Sequence, residues 1–491
     1  MNNIPVPLWN KLMTFQKEGV EYAVSQGGRA LIGDEMGLGK TYQALAISMC
    51  YIEEWPLLII VPSSLRYQWA EIYTEWAVGE IVDYKYTSED INIIASGKQK
   101  ANKPVNIISY NVAAKVGTEL LHQGFKVIVC DESHYMKNPT TVRTKSIIPL
   151  LKASDRVILL TGTPAISRPE ELFPQLSALR PKLFTSFKPY SERYCNPFKD
   201  YGGRINSKGS SNLTELHLLL CKVAMIRRKK AEVLTQLPDK IRQKITIEIG
   251  EHKTFIQKVK HDLDTVRAEM KKAQDHEIRD KDWNQLRLIQ ELFRDTGRAK
   301  LPSVLNYIKE NFLELDPIPK IVIFAFHQDV LDAIQHHLDK NKVKNIRICG
   351  KTPQNDRKAL VDYFQEDPEC KVAVLSIIVA SVGFNLTSAS IVVFAEMDWT
   401  PGNLFQAEDR CHRIGQKSIV TIQYLVAKDT IDEDIWKLIE KKLSVIGNTL
   451  DGEVSHGLKA KTIKSDVSSS HDSELVSLVL EKVENYEGRK A

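Results

Sequence analysis

The sequence predicts an α/β protein: two lobes built on parallel sheets, with a helical protrusion between them. Short β-branched runs alternate with amphipathic stretches, the pattern of parallel strands covered by helices. These runs fall into two sets, one before residue 240 and one after residue 300. Between the sets, apolar residues recur instead at steps of three and four, which is the helical period.

The first set opens with Ala30-Leu31-Ile32 and continues through Leu57–Val61, Val105–Ile108, Val127–Cys130 and Val157–Leu160. Lys320–Ala325, Asn345–Cys349, Lys371–Leu375, Ile391–Ala395 and Thr421–Val426 make up the second. In the intervening stretch Phe255, Val259, Leu263, Val266 and Met270 share one helical face, and Trp283, Leu286, Ile289 and Phe293 repeat the pattern after a polar break. Two long helices are expected there, an antiparallel pair serving as linker or protrusion. Residues 455–471, rich in Ser and Lys, are expected to be flexible. An amphipathic helix follows, with Leu475, Leu478, Val479, Val483 and Tyr486 on one face and Asp472 as its N-cap, docking on the core. The expected divisions are 1–240, 241–300, 301–454 and 455–491.

Chain length and composition fit this architecture. The 491 residues allow two or three cores, and 43% hydrophobic with 26% charged residues is ordinary for a soluble globular protein. A net charge of +5 is compatible with a nucleic-acid partner without demonstrating one. Seven dispersed cysteines, with no C-x-x-C pair and no zinc spacing, point to reduced thiols inside a cell. Neither a secretory leader nor an apolar run of membrane-spanning length is visible.

Chemistry enters at Asp34-Glu35-Met36-Gly37-Leu38-Gly39-Lys40-Thr41, set between the strand Ala30–Ile32 and a helix-like stretch, Tyr42–Cys50. A strand, a glycine turn and a helix start present backbone N–H groups to phosphates. Lys40 adds a point charge, and Thr41 offers Mg²⁺ a hydroxyl. Asp34 stands where the usual spelling of such a loop has glycine. About ninety residues later the strand Phe125–Cys130 runs into Asp131-Glu132-Ser133-His134. Asp131 is placed to hold Mg²⁺ through its water shell and Glu132 to polarise the attacking water. In the second lobe, Gln406 to Gln416 contains Arg410 and Arg413, which share a face if the segment is helical. Guanidinium groups match phosphate geometry and stay charged at any working pH. Arg227-Arg228-Lys229-Lys230 reads as a solvated helix face rather than a binding patch.

Taken in order, these motifs resemble the superfamily 2 helicase core of the SWI/SNF type, from about Leu8 to Leu450. Asp34–Thr41 and Asp131–His134 are similar to the family's motifs I and II, Thr161-Gly162-Thr163-Pro164 to motif III, and Gln406–Gln416 to motif VI. Phe15–Val20 resembles the adenine-reading segment, Val61–Leu65 motif Ia, and Ser376–Thr387 motif V. The likeness extends to the HARP-like annealing helicases through Glu54–Leu58, Ser167–Leu172, Gly209–Leu213 and Ala395–Gly402. Cys349-Gly350-Lys351-Thr352-Pro353 departs from the more acidic spelling of its counterpart.

The resemblance implies two RecA-like lobes with ATP and Mg²⁺ in the cleft between them and duplex DNA across both. It assigns nucleotide contacts to Gln16, Asp34, Met36, Gly37, Leu38, Gly39, Lys40, Thr41 and Gly383. Arg410 and Arg413 become arginine fingers, and Lys40, Asp131, Glu132 and Gln406 belong to the catalytic set. Thr41 and Asp131 serve the metal. Ser63, Ser64, Thr161, Ser376 and Asn385 become candidate DNA contacts. The implied function is a monomeric ATP-dependent translocase on duplex DNA, forked or at a junction, that anneals strands or remodels forks. A single-strand-binding protein or another targeting protein would direct it. The expected location is the nucleus in a eukaryote and the cytoplasm in a bacterium or phage, with a compact microbial or viral enzyme favoured. Alternatives are a remodeller of protein–DNA complexes and a catalytically silent DNA-binding scaffold.

Overall fold

A computed structural model describes residues 4–78, 87–162, 168–199, 205–249, 258, 261–262, 264–265, 279–381, 383–450 and 460–463. The chain divides into two compact units, Met1–Thr235 with Ser444–Ser455 and Gln236–Leu443 with His456–Ala491. Each is built on a seven-stranded, all-parallel sheet. No helix among the described residues is long and apolar enough to cross a membrane.

In the first unit the sheet strands are β1 (Arg29–Ile32), β2 (Leu57–Val61), β3 (Ile91–Ile94), β4 (Val105–Ser109), β5 (Val127–Asp131) and β6 (Arg156–Leu160). A small antiparallel hairpin, β7 (Phe198–Lys199) and β8 (Ile205–Asn206), precedes the last sheet strand, β9 (Met225–Ile226). The spatial order is β3-β4-β2-β5-β6-β1-β9. Alternate residues face opposite layers: Ala30, Ile59, Val129 and Ile158 line one core, while Leu31, Ile60, Ile128 and Leu159 line the other. Both faces are covered, so the runs are apolar throughout instead of alternating with polar residues.

This order brings the ends of three strands together. Ile32 pairs with Leu160, and Asp131 pairs with the same Leu160 from the other side. The loops leaving β1, β5 and β6 therefore emerge side by side at the carboxyl edge of the sheet, where open α/β folds bind ligands.

The second unit contains β10 (Lys240–Ile247), β11 (Ile321–Ala325), β12 (Asn345–Ile348), β13 (Val372–Ser376), β14 (Ile391–Phe394), β15 (Val420–Ala427) and β16 (Ala460–Ile463). They lie in the order β12-β13-β11-β14-β15-β10-β16. The two faces again separate, with Val322 and Phe324 in one core and Ile321, Ile323 and Ala325 in the other.

Three elements differ from the sequence reading. Residues 240–247, at the start of the expected helical segment, form a full-length strand against β15. The text Lys-Ile-Arg-Gln-Lys-Ile-Thr-Ile has period two, but its apolar residues are diluted by long cations, which hid the strand. The second expected helix is part of a single helix, Arg279–Ile308, that runs beyond residue 300. It is packed into the unit: Ile289, Leu292 and Phe293 are buried, and the Phe293 ring lies 4.6 Å from that of Trp399. Phe255, Val259, Leu263, Val266 and Met270 lie outside the described residues. Within the expected flexible tail, Ala460–Ile463 is a strand on the open side of β10. The expected helix at 475–486 also lies outside the described residues, as do Thr163 and Pro164.

Candidate active site

The phosphate loop follows β1 directly. Gly37 and Gly39 adopt left-handed backbone conformations, with φ of 86° and 71°. Gly39 has a second reason to be glycine, since a Cβ there would lie 2.4 Å from Gln16 Nε2. That amide donates to the Leu38 carbonyl at 3.0 Å, while Gln16 Oε1 accepts from Met13 N at 2.9 Å. Gln16, expected to read adenine, is thus buried with one bond from each end of its amide made to the protein. The helix Lys40–Cys50 starts immediately after Gly39, aiming its free N–H groups into the loop. Lys40 Nζ donates to the carbonyls of Asp34 (2.9 Å) and Glu35 (3.3 Å). Burial pushes its ammonium pKa down against the opposing pull of Glu132, Asp34 and Asp131.

Asp34 faces inward and is fully buried. Arg228 Nε and Nη2 grip its two oxygens at 2.9 and 2.6 Å, and Gln43 Nε2 donates to Oδ2 at 2.8 Å. Its carboxylate is therefore spent on holding the loop rather than aimed at a nucleotide.

At the end of β5, Asp131 accepts from Trp69 Nε1 at 2.9 Å and from the Glu132 amide at 2.9 Å. Glu132 occupies the left-handed region, φ 50° and ψ 50°, which is strained for a residue with a Cβ. Its Oε2 lies 3.2 Å from His134 Nδ1, and that nitrogen shares a 2.9 Å hydrogen bond with Thr161 Oγ1. The loops from β5 and β6 are thereby tied together. Burial, reinforced by the adjacent Glu132, raises the Asp131 pKa to about 6. A site that crowds two carboxylates together beside Lys40 suits a divalent cation. The oxygens of Asp131 and Thr41 are the hard donors Mg²⁺ prefers.

A stability prediction follows from that shift. The folded-state value lies above the ordinary 3.8, so ionising Asp131 destabilises the fold as pH rises from about 4, and the cost is complete above about 6. Asp131→Asn should stabilise the metal-free protein by about 1–3 kcal/mol near pH 8 and by almost nothing near pH 4. Thermal melts at the two pH values test this; equal shifts at both would contradict it.

In the second unit, Gln406 is buried on the helix Pro401–Glu408. Arg410 and Arg413 lie beyond the end of that helix, in the turn that follows, so they do not share a helical face. The helix stops because the next residues are claimed by contacts with the 383–389 loop. Leu386 N donates to Arg410 O at 2.9 Å, and Arg413 Nη1 approaches Phe384 O at 3.4 Å. Gln416 donates to Thr387 O, Ala389 O and Cys411 O at 3.2, 2.9 and 3.0 Å. Gly383, Asn385, Arg410 and Arg413 thus belong to one stitched pair of loops.

Behind this turn is a charge cluster that the sequence did not reveal. The fully buried Glu408 takes both Arg242 Nε and Nη2 at 2.7 Å, Lys240 Nζ at 3.0 Å and the Tyr424 hydroxyl at 2.6 Å. Burial alone would raise its pKa, yet Arg242 and Lys240 hold it down at about 2. The resulting stabilisation is complete above the ordinary 4.5 and is lost as pH falls towards 2. Glu408→Gln should cost about 3–5 kcal/mol at neutral pH, because Arg242 loses its buried counter-charge while Lys240 retains Asp409 at 3.0 Å. Chemical denaturation of the variant measures it; a loss below about 1 kcal/mol would contradict the cluster's role.

The DNA candidates separate by exposure. Ser63 and Asn385 are exposed and Ser64 is partly so. Thr161 is 0% exposed with its hydroxyl on His134, and Ser376 is 3% exposed at the end of β13. Neither hydroxyl is presented to a ligand at the surface. Sequence reasoning also passed over Trp69, whose partner lies 62 residues away, and misread Arg227 and Arg228. Far from being solvated, Arg228 is buried, and Arg227 Nη1 donates to Gly33 O (2.7 Å) and Gly162 O (3.0 Å).

Comparison with known proteins decides the family. The SNF2-related domain matches residues 15–295, and the helicase conserved C-terminal domain matches residues 303–415. The chain belongs to the SNF2-related family. It is 42% identical over 460 residues to the DNA annealing helicase and endonuclease ZRANB3 of Bos taurus, covering 91% of this chain and 41% of that protein. It is 43% identical over 449 residues to the SWI/SNF-related matrix-associated actin-dependent regulator of chromatin subfamily A-like protein 1 of Xenopus laevis, covering 91% and 45%. The chain therefore spans less than half the length of these two relatives. Among solved structures, the Sulfolobus solfataricus SWI2/SNF2 ATPase core in complex with dsDNA aligns at TM-score 0.43 and 24% identity, covering 88% of this chain and 90% of that one.

Proposed function

We propose that this SNF2-family chain is a DNA-dependent ATPase that translocates on duplex DNA and acts on forked or junction substrates, re-pairing separated strands. The observation that carries the reading is the convergence of Lys40, on the loop and helix after β1, with Asp131 and Glu132 at the end of β5, two strands that flank β6 in one sheet, within a chain whose family is established. Gln16 reads the adenine edge, Gly37 to Thr41 enclose the phosphates, and Lys40 steadies the leaving charge. Thr41 and Asp131 would hold Mg²⁺, which would supply positive charge to the phosphate oxygens. Glu132, whose Oε2 lies 3.2 Å from His134 Nδ1, orients the attacking water. Arg410 and Arg413 of the second unit supply guanidinium charge to the γ-phosphate in the hydrolysing state. Ser63, Ser64 and Asn385 contact the DNA backbone, which positions the protein without reading sequence.

The fork and annealing part of this reading rests on likeness to the Bos taurus relative, a DNA annealing helicase. We infer that the protein works as a monomer in the compartment that holds DNA, directed by a single-strand-binding or other targeting protein. A fluorescence assay with complementary strands coated by single-strand-binding protein tests the reading. ATP-dependent re-pairing by the wild type, absent in Lys40→Ala, is the expected result. Hydrolysis stimulated by duplex without re-pairing would overturn the annealing part and point to displacement of DNA-bound proteins.

A further inference from the structure

Arg228 is the most heavily engaged side chain near the nucleotide loop, and the mechanism above gives it no task. It comes from the stretch after β9, which pairs with β1 and so lays Arg227–Lys230 alongside Gly33–Glu35. Backbone bonds continue the pairing: Gly33 N donates to Ile226 O at 2.8 Å, and Glu35 N to Arg228 O at 2.9 Å. From there the guanidinium reaches three separate elements. It grips both oxygens of Asp34 in the phosphate loop, meets Gln43 Oε1 on the following helix at 3.1 Å, and donates through Nη1 to the carbonyl of Phe15. Its carbon centre also lies 5.2 Å from the centroid of the Phe15 ring.

Phe15 is the residue before Gln16, the adenine reader. One buried planar cation therefore spans the base-reading turn and the phosphate loop. A neighbouring glycine makes room for it: a Cβ on Gly19 would lie 2.7 Å from Arg228 Nη2 and 2.0 Å from Gln43 Oε1. The same arrangement accounts for Asp34 at the place where phosphate loops usually carry glycine, since this carboxylate is the anchor for the arginine.

We propose that Arg228 is a positioning residue that sets the spacing between the Phe15–Gln16 turn and the Asp34–Thr41 loop, and thereby the enzyme's affinity for ATP and its preference for adenine. A planar fork with five donors can serve Asp34, Gln43 and Phe15 together; an ammonium cannot. The inference rests on the ATPase reading, so its test includes a variant that separates the two.

The experiment measures KM and kcat for ATP and for GTP, with saturating duplex DNA, in the full chain and in Arg228→Lys, Gly19→Ala and Gln16→Ala. Arg228→Lys should raise KM for ATP about tenfold, the equivalent of one charged hydrogen bond, and narrow the preference for ATP over GTP. Its kcat should stay within about threefold of wild type, since no group in contact with the γ-phosphate has changed. Gly19→Ala, which displaces the Gln43 amide and the guanidinium that meets it without altering charge, should show the same split. A merely structural arginine predicts a lower melting temperature with KM and preference unchanged, and that result in Arg228→Lys would overturn the proposal. Should Arg228→Lys fail to fold, wild-type constants in Gly19→Ala would overturn it instead. Undiminished preference in Gln16→Ala would remove the adenine reading on which the proposal depends, whereas loss in Gln16→Ala with wild-type behaviour in Arg228→Lys would remove the proposal alone.

Discussion

Glu132→Gln should give a folded protein that binds ATP and hydrolyses it about 10²–10⁴-fold more slowly than the wild type. The substitution keeps the side chain's shape and removes its ability to take a proton from water. The backbone at Glu132 is left-handed and held by its neighbours: Tyr135 N donates to its carbonyl at 2.9 Å, and its own amide donates to Asp131 Oδ1. The replacement therefore enters a position that is already fixed. Near-isosteric substitution leaves those backbone bonds in place, so the defect should lie in the chemical step. Phosphate release under saturating ATP, with nucleotide binding followed by fluorescence, separates the two. Undiminished turnover in the folded variant would show that another group positions the water.

Arg413→Ala should retain ATP binding and lose about 10³–10⁵ in hydrolysis rate if the residue supplies transition-state charge as proposed. In the structure Arg413 has a long 3.4 Å contact with Phe384 O, and its turn is held by backbone and Gln416 bonds in which its side chain takes no part. The backbone and Gln416 bonds are kept in the alanine variant. Arg413→Lys retains the charge without the planar fork and should recover only part of the rate. A selective loss of ATP binding, with normal turnover of bound nucleotide, would place Arg413 in ground-state binding and contradict the finger role.

The strands and the ATP motifs were legible because they are local. Leu57–Val61 and Ile321–Ala325 are unbroken apolar runs, as strands buried on both faces must be, and the phosphate loop is one continuous stretch. What escaped notice depends on partners distant in sequence. Arg228 meets Asp34 across 194 residues, and Arg242 meets Glu408 across 166, so each arginine looked like surface charge. The strand Lys240–Ile247 was hidden for the same reason, because two of its cations are neutralised by the helix Pro401–Glu408. Thr161 and Ser376 illustrate the converse. Their motif positions suggested surface contacts, while Ser376 is paired with Ala325 and Thr161 is bonded through its amide to Ile32 O, both under the surface. Arg410 and Arg413 were assigned a common helical face from their spacing alone, and only the contacts with the 383–389 loop show why the helix ends before them.

The central claim is that DNA governs ATP turnover in this chain, and the most direct measurement is phosphate release with no DNA, single strands, blunt duplex and a single-to-double-strand junction. The account predicts strong stimulation by DNA containing duplex, greatest at the junction, and none of it in Lys40→Ala. A wild-type rate that stays the same across all four conditions would contradict the account.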